Sequence, residues 1–284
     1  MSKYKESIMK TIFFVAACTS ILAVALICLF LFINGIPAMT KIGIFDFLMG
    51  TTWKPNNTPP SFGILPMILG SIYVTAGAAV IGVPIGILTA VFMAHYCPPK
   101  LYRILKPAIN LLAGIPSIVY GFFGLVVIVP FIRDTFGGAG ISMLAASILL
   151  GIMILPTIVG ISESAIRAIP QSYYEGALAL GASHERSIFF VILPAAKSGI
   201  MAAIVLGIGR AIGETMAVIM VAGNQARMPA GLLKGVRTLT ANIIIEMGYA
   251  AELHREALIA TSVVLFVFIL IINLLLSLLK RRTG

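Results

Sequence analysis

Charge is scarce in this chain: Lys, Arg, Asp and Glu make up 11% of its 284 residues, against about 25% in ordinary soluble domains. The remainder is 60% hydrophobic, with a mean hydropathy of +1.07. So little polar surface cannot coat a water-soluble globule of this size, which excludes a soluble enzyme or binding module. Cysteine occurs only at Cys18, Cys28 and Cys97, an odd and widely spaced set that supplies neither a disulfide framework nor a cysteine metal site. No Gly-x-x-x-x-Gly-Lys-Ser/Thr run occurs, so the sequence carries no phosphate cradle for hydrolysing ATP. Acids number half the bases, 10 against 20, and the net charge is +10.

What the chain has is apolar runs, each long enough to cross a bilayer core of about 30 Å. They predict an all-α polytopic membrane protein with six spans at 12–33, 64–94, 108–131, 141–161, 199–222 and 257–279. The first run is too long for the core of a signal peptide and has no small-residue cleavage site, so it is read as a retained helix. Basic residues sit between the runs instead of forming a basic face, which argues against nucleic-acid binding. With the N-terminus inside, Lys3, Lys5, Lys10, Lys100, Arg103, Lys106, Arg167, Arg186, Lys197, Lys280, Arg281 and Arg282 face inward. Lys41, Lys54, Arg133, Arg227, Lys234, Arg237 and Arg255 face outward. That excess of inner cations places both termini of a multi-pass membrane protein in the cytoplasm.

The chain divides into an N-terminal helix with an external loop, 1–63, and a helical core, 64–280. The loop from Asn34 to Phe62 holds Trp53, Pro55, Pro59 and Pro60, a composition that breaks helices and suits a connector. A longer external segment, 223–256, contains TLTANIIIEMGYA, too short and too polar at its edges to span and better read as a short capping helix. Within the runs, Gly82, Pro84, Gly86, Pro116, Pro156, Gly209 and Gly213 predict close helix packing through small residues, with kinks.

Two constellations carry chemistry. The first is the polar inner segment 162–198. Pro170 opens a helix, Gly181 ends it, and Ser183 caps a second helix that stops near Pro194. Tyr173, Tyr174, Phe189 and Phe190 are apolar anchors on this elbow, with Glu175, Glu185 and Arg186 as polar ones. By pattern alone it is either a hairpin lying on lipid or a docking site for a partner. The second lies in the fifth run, where Arg210 and Glu214 stand four residues apart among Gly207, Gly209, Ala211 and Gly213. A charge at mid-bilayer costs about 2.5–3.5 kcal/mol, so the two either pair along the helix and fix packing or face a polar path. In the second case Arg210 offers an anion a fork of donors, Glu214 holds it until the anion arrives, and Thr215 adds a hydroxyl.

The stretch EGALALGASHERSIFFVILP, Glu175 to Pro194, resembles the EAA signature of ABC importer permeases, with Gly176 where an Ala is usual and Val191 for Ile. The resemblance implies a MetI-like type I importer core and a coupling helix that inserts into an ATPase subunit, with Glu175, Gly176, Ala177, Gly181, Leu193 and Pro194 at the matching positions. GRAIGETMAVIMVAGN, Gly209 to Asn224, and GIPSIVYGFFGLVVIVP, Gly114 to Pro130, resemble permeases of phosphate ABC importers, of the PstC type. That likeness implies a heterodimer with a PstA-type permease, two ATPase subunits that bind ATP and Mg, and an extracytoplasmic phosphate-binding protein. It also implies that Arg210 and Glu214 serve phosphate passage. On this reading the chain is no enzyme and holds no cofactor or metal of its own. The alternatives are a permease for sulfate or molybdate, and a proton-coupled secondary transporter.

Overall fold

A computed structural model describes the backbone of residues 2–283 and the side chains of 5–275, 277 and 278. Lys3, Lys280, Arg281 and Arg282, counted above among the inner charges, lie outside the described side chains. Helices make up nearly all of it. Helix α1 (Ser2–Ile42) is about 60 Å long at 1.5 Å per residue, twice the bilayer core, and so extends beyond the predicted 12–33 at both ends. Its neighbour is the last helix, α12 (Glu252–Thr283). Phe32 meets Phe266 edge-on at 6.0 Å. A Cβ at Gly35 would stand 2.6 Å from Val263 Cγ2, so the absent side chain is what lets these helices touch.

The loop expected to be a plain connector is ordered. It holds the short helix α2 (Ile44–Met49) and an antiparallel pair, β1 (Trp53–Lys54) with β2 (Ser61–Phe62). Phe47, Trp53, Phe62 and Ile64 pack into a small core with Leu239 and Leu258. Sequence periodicity could not show this, because the partners lie some two hundred residues away.

The centre of the bundle is α6 (Met143–Arg167), the most buried of the spans, with α3 (Leu65–Tyr96) laid along it. The glycines of α3 face the seam: a Cβ at Gly82 would meet Gly151 O at 2.7 Å and one at Gly86 would meet Ile158 Cγ2 at 2.7 Å. This is the small-residue packing expected of helices in lipid, where no hydrophobic drive brings helices together.

Two predicted spans need correction. The third, expected at 108–131, is two elements: α4 (Pro99–Gly114) and α5 (Ser117–Phe136). Pro116 has φ −59° and ψ 142° and stands before the first residue of α5, so it separates the helices where a kink within one was expected. Every residue of α4 remains at least partly exposed. The fifth, expected as one helix over 199–222, is α9 (Lys197–Gly213) and α10 (Met216–Val221) with a break at Glu214 and Thr215. Between α6 and α9 lie α7 (Gln171–Ala179) and α8 (His184–Ala195), the latter bent 68° from α9. Helix α6 runs on to Arg167, so the first six residues of the 162–198 segment continue the fourth helix. The capping helix expected within 223–256 is α11 (Leu239–Met247).

The bundle therefore has two unlike ends. At one, named the coupling end after the role that the sequence resemblance implies for its elbow, α4, α7 and α8 gather around the ends of α3 and α6. At the other, the cap end, the hairpin, α11 and the start of α12 form a lid of short elements.

A broken helix and an exposed elbow

The fifth span breaks for a local reason. Gly209 and Gly213 weaken the helix, Glu214 takes an extended backbone (φ −70°, ψ 132°), and Thr215 precedes α10. The Glu214 carboxylate Oε1 then accepts a hydrogen bond from the backbone N–H of Ala217 at 3.2 Å. A carboxylate there satisfies an otherwise unpaired donor and meets the positive end of the new helix. Thr240 Oγ1 donates to Glu214 O at 3.2 Å, tying the break to the cap.

The expected pairing of Arg210 with Glu214 is accordingly not formed. Four residues of spacing make a pair only if the helix is continuous, and this one stops at Gly213. Among the described residues no carboxylate lies within 4.0 Å of Arg210. The Arg210 side chain is exposed on the surface of the chain. Its glycine neighbours divide by face: a Cβ at Gly207 would run into Ile158 Cγ1 at 2.9 Å, whereas one at Gly213 would meet nothing within 4 Å. One face of α9 packs on α6 while the face beside Arg210 is open. Thr215 is half-buried, and its hydroxyl donates to Gly213 O at 3.3 Å.

At the coupling end the elbow forms as the sequence predicts. Helix α7 closes with Gly181 at φ +82°. Ala182 N–H bonds to Ala177 O at 3.1 Å and Gly181 N–H to Leu178 O at 2.9 Å, the paired bonds of a Schellman cap. Ser183 Oγ accepts from Arg186 N–H at 3.3 Å and opens α8. Tyr173, Glu175, Gly176, Gly181, Phe189, Phe190 and Pro194 are exposed, Leu193 is half-buried and Ala177 is buried against the elbow. Tyr174 differs from expectation: it is half-buried and its hydroxyl is bonded to His184 Nδ1 at 2.7 Å, so it braces the elbow from within. Leu180, passed over in the sequence, is the most exposed large apolar side chain at 91%. Its place just before the capping glycine is the signal that marks it.

Two charge clusters escaped the sequence reading. At the coupling end, Glu163 is 1% exposed and accepts from Lys106 Nζ at 2.5 Å, Tyr102 Oη at 2.7 Å and Arg167 Nε at 2.8 Å. The bond to that carboxylate holds the Tyr102 phenol above its usual pKa. At the cap end, Glu246 accepts from Arg237 Nη1 at 2.5 Å and Trp53 Nε1 at 2.8 Å, and pairs with His254 Nε2 at 2.8 Å. For Glu246 the available signal is an acid that follows the apolar run Ile243 to Ile245, whereas Glu163 sits in a polar stretch where nothing local marks it.

With this geometry in view, comparison with known proteins is decisive. Residues 82–284 match the family described as the binding-protein-dependent transport system inner membrane component. The chain belongs to this family of ABC importer permeases. Among its relatives is the probable ABC transporter permease protein YqgH of Bacillus subtilis, 41% identical over 93% of this chain and 89% of that protein. Another is the phosphate transport system permease protein PstC of Mesorhizobium japonicum, 35% identical over 89% of this chain and 84% of that one. A third, from Methanocaldococcus jannaschii, is a probable phosphate transport system permease protein PstC, 32% identical over 87% and 84%. The fold is that of solved importers: an inward-facing MetNI methionine ABC transporter superposes with a TM-score of 0.63 at 22% identity, over 78% of this chain and 96% of that one. The bacterial alginate ABC transporter gives 0.61 at 15% identity, over 94% of both chains. The permease family match begins at residue 82, so α1, α2, the hairpin and the first part of α3 precede it.

Proposed function

We propose that this permease forms half of the translocation path of an ATP-driven phosphate importer, with Arg210 as the cationic station on that path. The observation that carries the reading is the Arg210 guanidinium itself. It stands in an apolar span, exposed, with open space at Gly213 and no acid within reach among the described residues. A permanent charge so placed costs about 2.5–3.5 kcal/mol, and a tetrahedral oxyanion is the ligand whose geometry its fork matches. The relatives named as phosphate transport system permeases supply the anion. Glu214 serves by holding the break open, and Thr215 stands beside it with a hydroxyl. A proton-relay transporter is not favoured, since the Glu214 carboxylate is committed to capping α10.

The partners follow from the same reading. A PstA-type permease completes the path against the open face of α9. Two ATPase subunits supply ATP and Mg and grip the elbow through Tyr173, Leu180, Phe189 and Phe190. A phosphate-binding protein docks at the cap end outside the cytoplasmic membrane. Both termini are cytoplasmic, as the excess of inner Lys and Arg supports.

The test is uptake by the complete importer in proteoliposomes. Arg210→Ala is expected to lower phosphate uptake by about tenfold to a hundredfold, the equivalent of losing a charged hydrogen bond of about 1.5–3 kcal/mol. The ATPase should remain bound. Sulfate and molybdate should not compete. Undiminished uptake in the variant removes the site, and competition by sulfate reassigns the substrate.

A further inference from the structure

Resting on the ATP-driven reading above, we infer that Glu163 is a positioning residue that makes α4 the arm carrying the motion of the ATPase from the coupling elbow to the broken helix. Helix α4 lies across the coupling end with all of its residues at least partly exposed. Its Tyr102, Leu105 and Ile109 pack on the apolar cluster at this end, none of them fully buried. Its fixed point is a clasp of two residues on each helix. Tyr102 and Lys106, four apart on α4, both donate to the buried carboxylate of Glu163. On α6 Arg167, four residues on, donates to the same carboxylate and lies over the Tyr102 ring at 4.7 Å from its centroid, a cation–π contact.

Arg167 also reaches the third helix. The last turn of α3 is a π-turn, in which carbonyls bond to donors five residues ahead. Met93 O would require the N–H of residue 98, and residue 98 is proline, which has none. Arg167 Nη2 fills that place at 2.6 Å. One carboxylate and one guanidinium thus join α3, α4 and α6, and Arg167 stands four positions before α7 begins.

The far end of α4 is equally tied. Tyr120 Oη donates to Leu112 O at 2.8 Å, bracing the α4–α5 corner at Pro116. Helix α5 then lies on α10 so closely that a Cβ at Gly121 would stand 3.0 Å from Ala217 Cα. Ala217 is the residue whose N–H Glu214 caps. A continuous chain of bonded and packed groups therefore joins the elbow to the break beside Arg210, as transmission between distant sites needs. Movement of the elbow carries α4 only while the clasp is closed.

The experiment uses the complete importer with its binding protein and ATPase, reading phosphate uptake and ATP hydrolysis together. Tyr102→Phe with Lys106→Met opens the α4 side while leaving Glu163 paired with Arg167. The expected result is an assembled complex that still hydrolyses ATP while uptake per ATP falls at least about tenfold. Lys106→Arg, which keeps the donor, should restore the ratio. A residue that only stabilises the fold would lower both activities in parallel, and an unchanged ratio overturns the inference. Should the double variant not assemble, Lys106→Met alone is read by the same ratio. Wild-type importer that hydrolyses ATP without moving phosphate would defeat the substrate reading instead, so the two failures are distinct.

Discussion

Two charged residues four apart on a helix invite pairing, yet the backbone between Arg210 and Glu214 bends away and leaves the cation alone. Their separate duties make a testable distinction. Glu214→Gln keeps an oxygen acceptor for the Ala217 N–H and is expected to preserve uptake within about twofold, whereas Glu214→Ala loses the cap, at a cost of about 0.5–2 kcal/mol. Thermal unfolding of the purified complex, read beside uptake, separates the two variants. A proton relay demands the opposite, because Gln cannot ionise, and loss of uptake in Glu214→Gln with an intact Tm would restore that mechanism. The candidate residue Arg210 was legible because a charge in an apolar run is costly. The orientation of Glu214 was not, since spacing alone says nothing about whether the helix continues between two positions.

At the scale of elements, the hydropathy of the runs located the spans, and local cap chemistry located the elbow. Gly181 and Ser183 were readable because each acts on its own neighbours within a few residues. The third span was misplaced since the second half of α4, 108–114, carries no charge and reads on across Pro116 as one apolar run with α5. The elbow also carries its own prediction. Leu180 is exposed at 91%, so Leu180→Asp should leave the permease folded and abolish co-purification of the ATPase. Gly181→Val forces a β-branched side chain into φ +82°, a strain of about 1–2 kcal/mol. It should loosen α7 itself and weaken ATPase binding with a measurable fall in Tm. Co-purification lost without a Tm change in Leu180→Asp, and with one in Gly181→Val, is the expected pattern. An ATPase that binds both variants normally would place the docking surface elsewhere.

Over the whole molecule, the segment ahead of residue 82 is fastened to the permease core by the α1–α12 seam, by the apolar cluster around Phe47 and Ile64, and by a polar knot at Glu246. Trp53 reaches it from the hairpin, Arg237 from the loop before α11, and His254 from α12. Arg237 also donates to Asn224 O at 2.9 Å and Asn242 Oδ1 at 3.0 Å. No window of sequence could join Trp53 to an acid 193 positions away, which is why the hairpin was read as a connector. The energetics rank the variants. Trp53→Phe keeps the aromatic packing and loses one hydrogen bond, worth about 1 kcal/mol. Glu246→Gln leaves the partly buried Arg237 guanidinium, 15% exposed, without its counter-charge, a loss that approaches the roughly 3–5 kcal/mol of a fully buried broken pair. Limited proteolysis should therefore open the 50–62 segment readily in Glu246→Gln and barely in Trp53→Phe, while cleavage around the distant elbow stays unchanged. Equal resistance in both variants would mean that the apolar cluster around Phe47 and Ile64 fastens the hairpin unaided. In that case the buried charges serve only to satisfy one another.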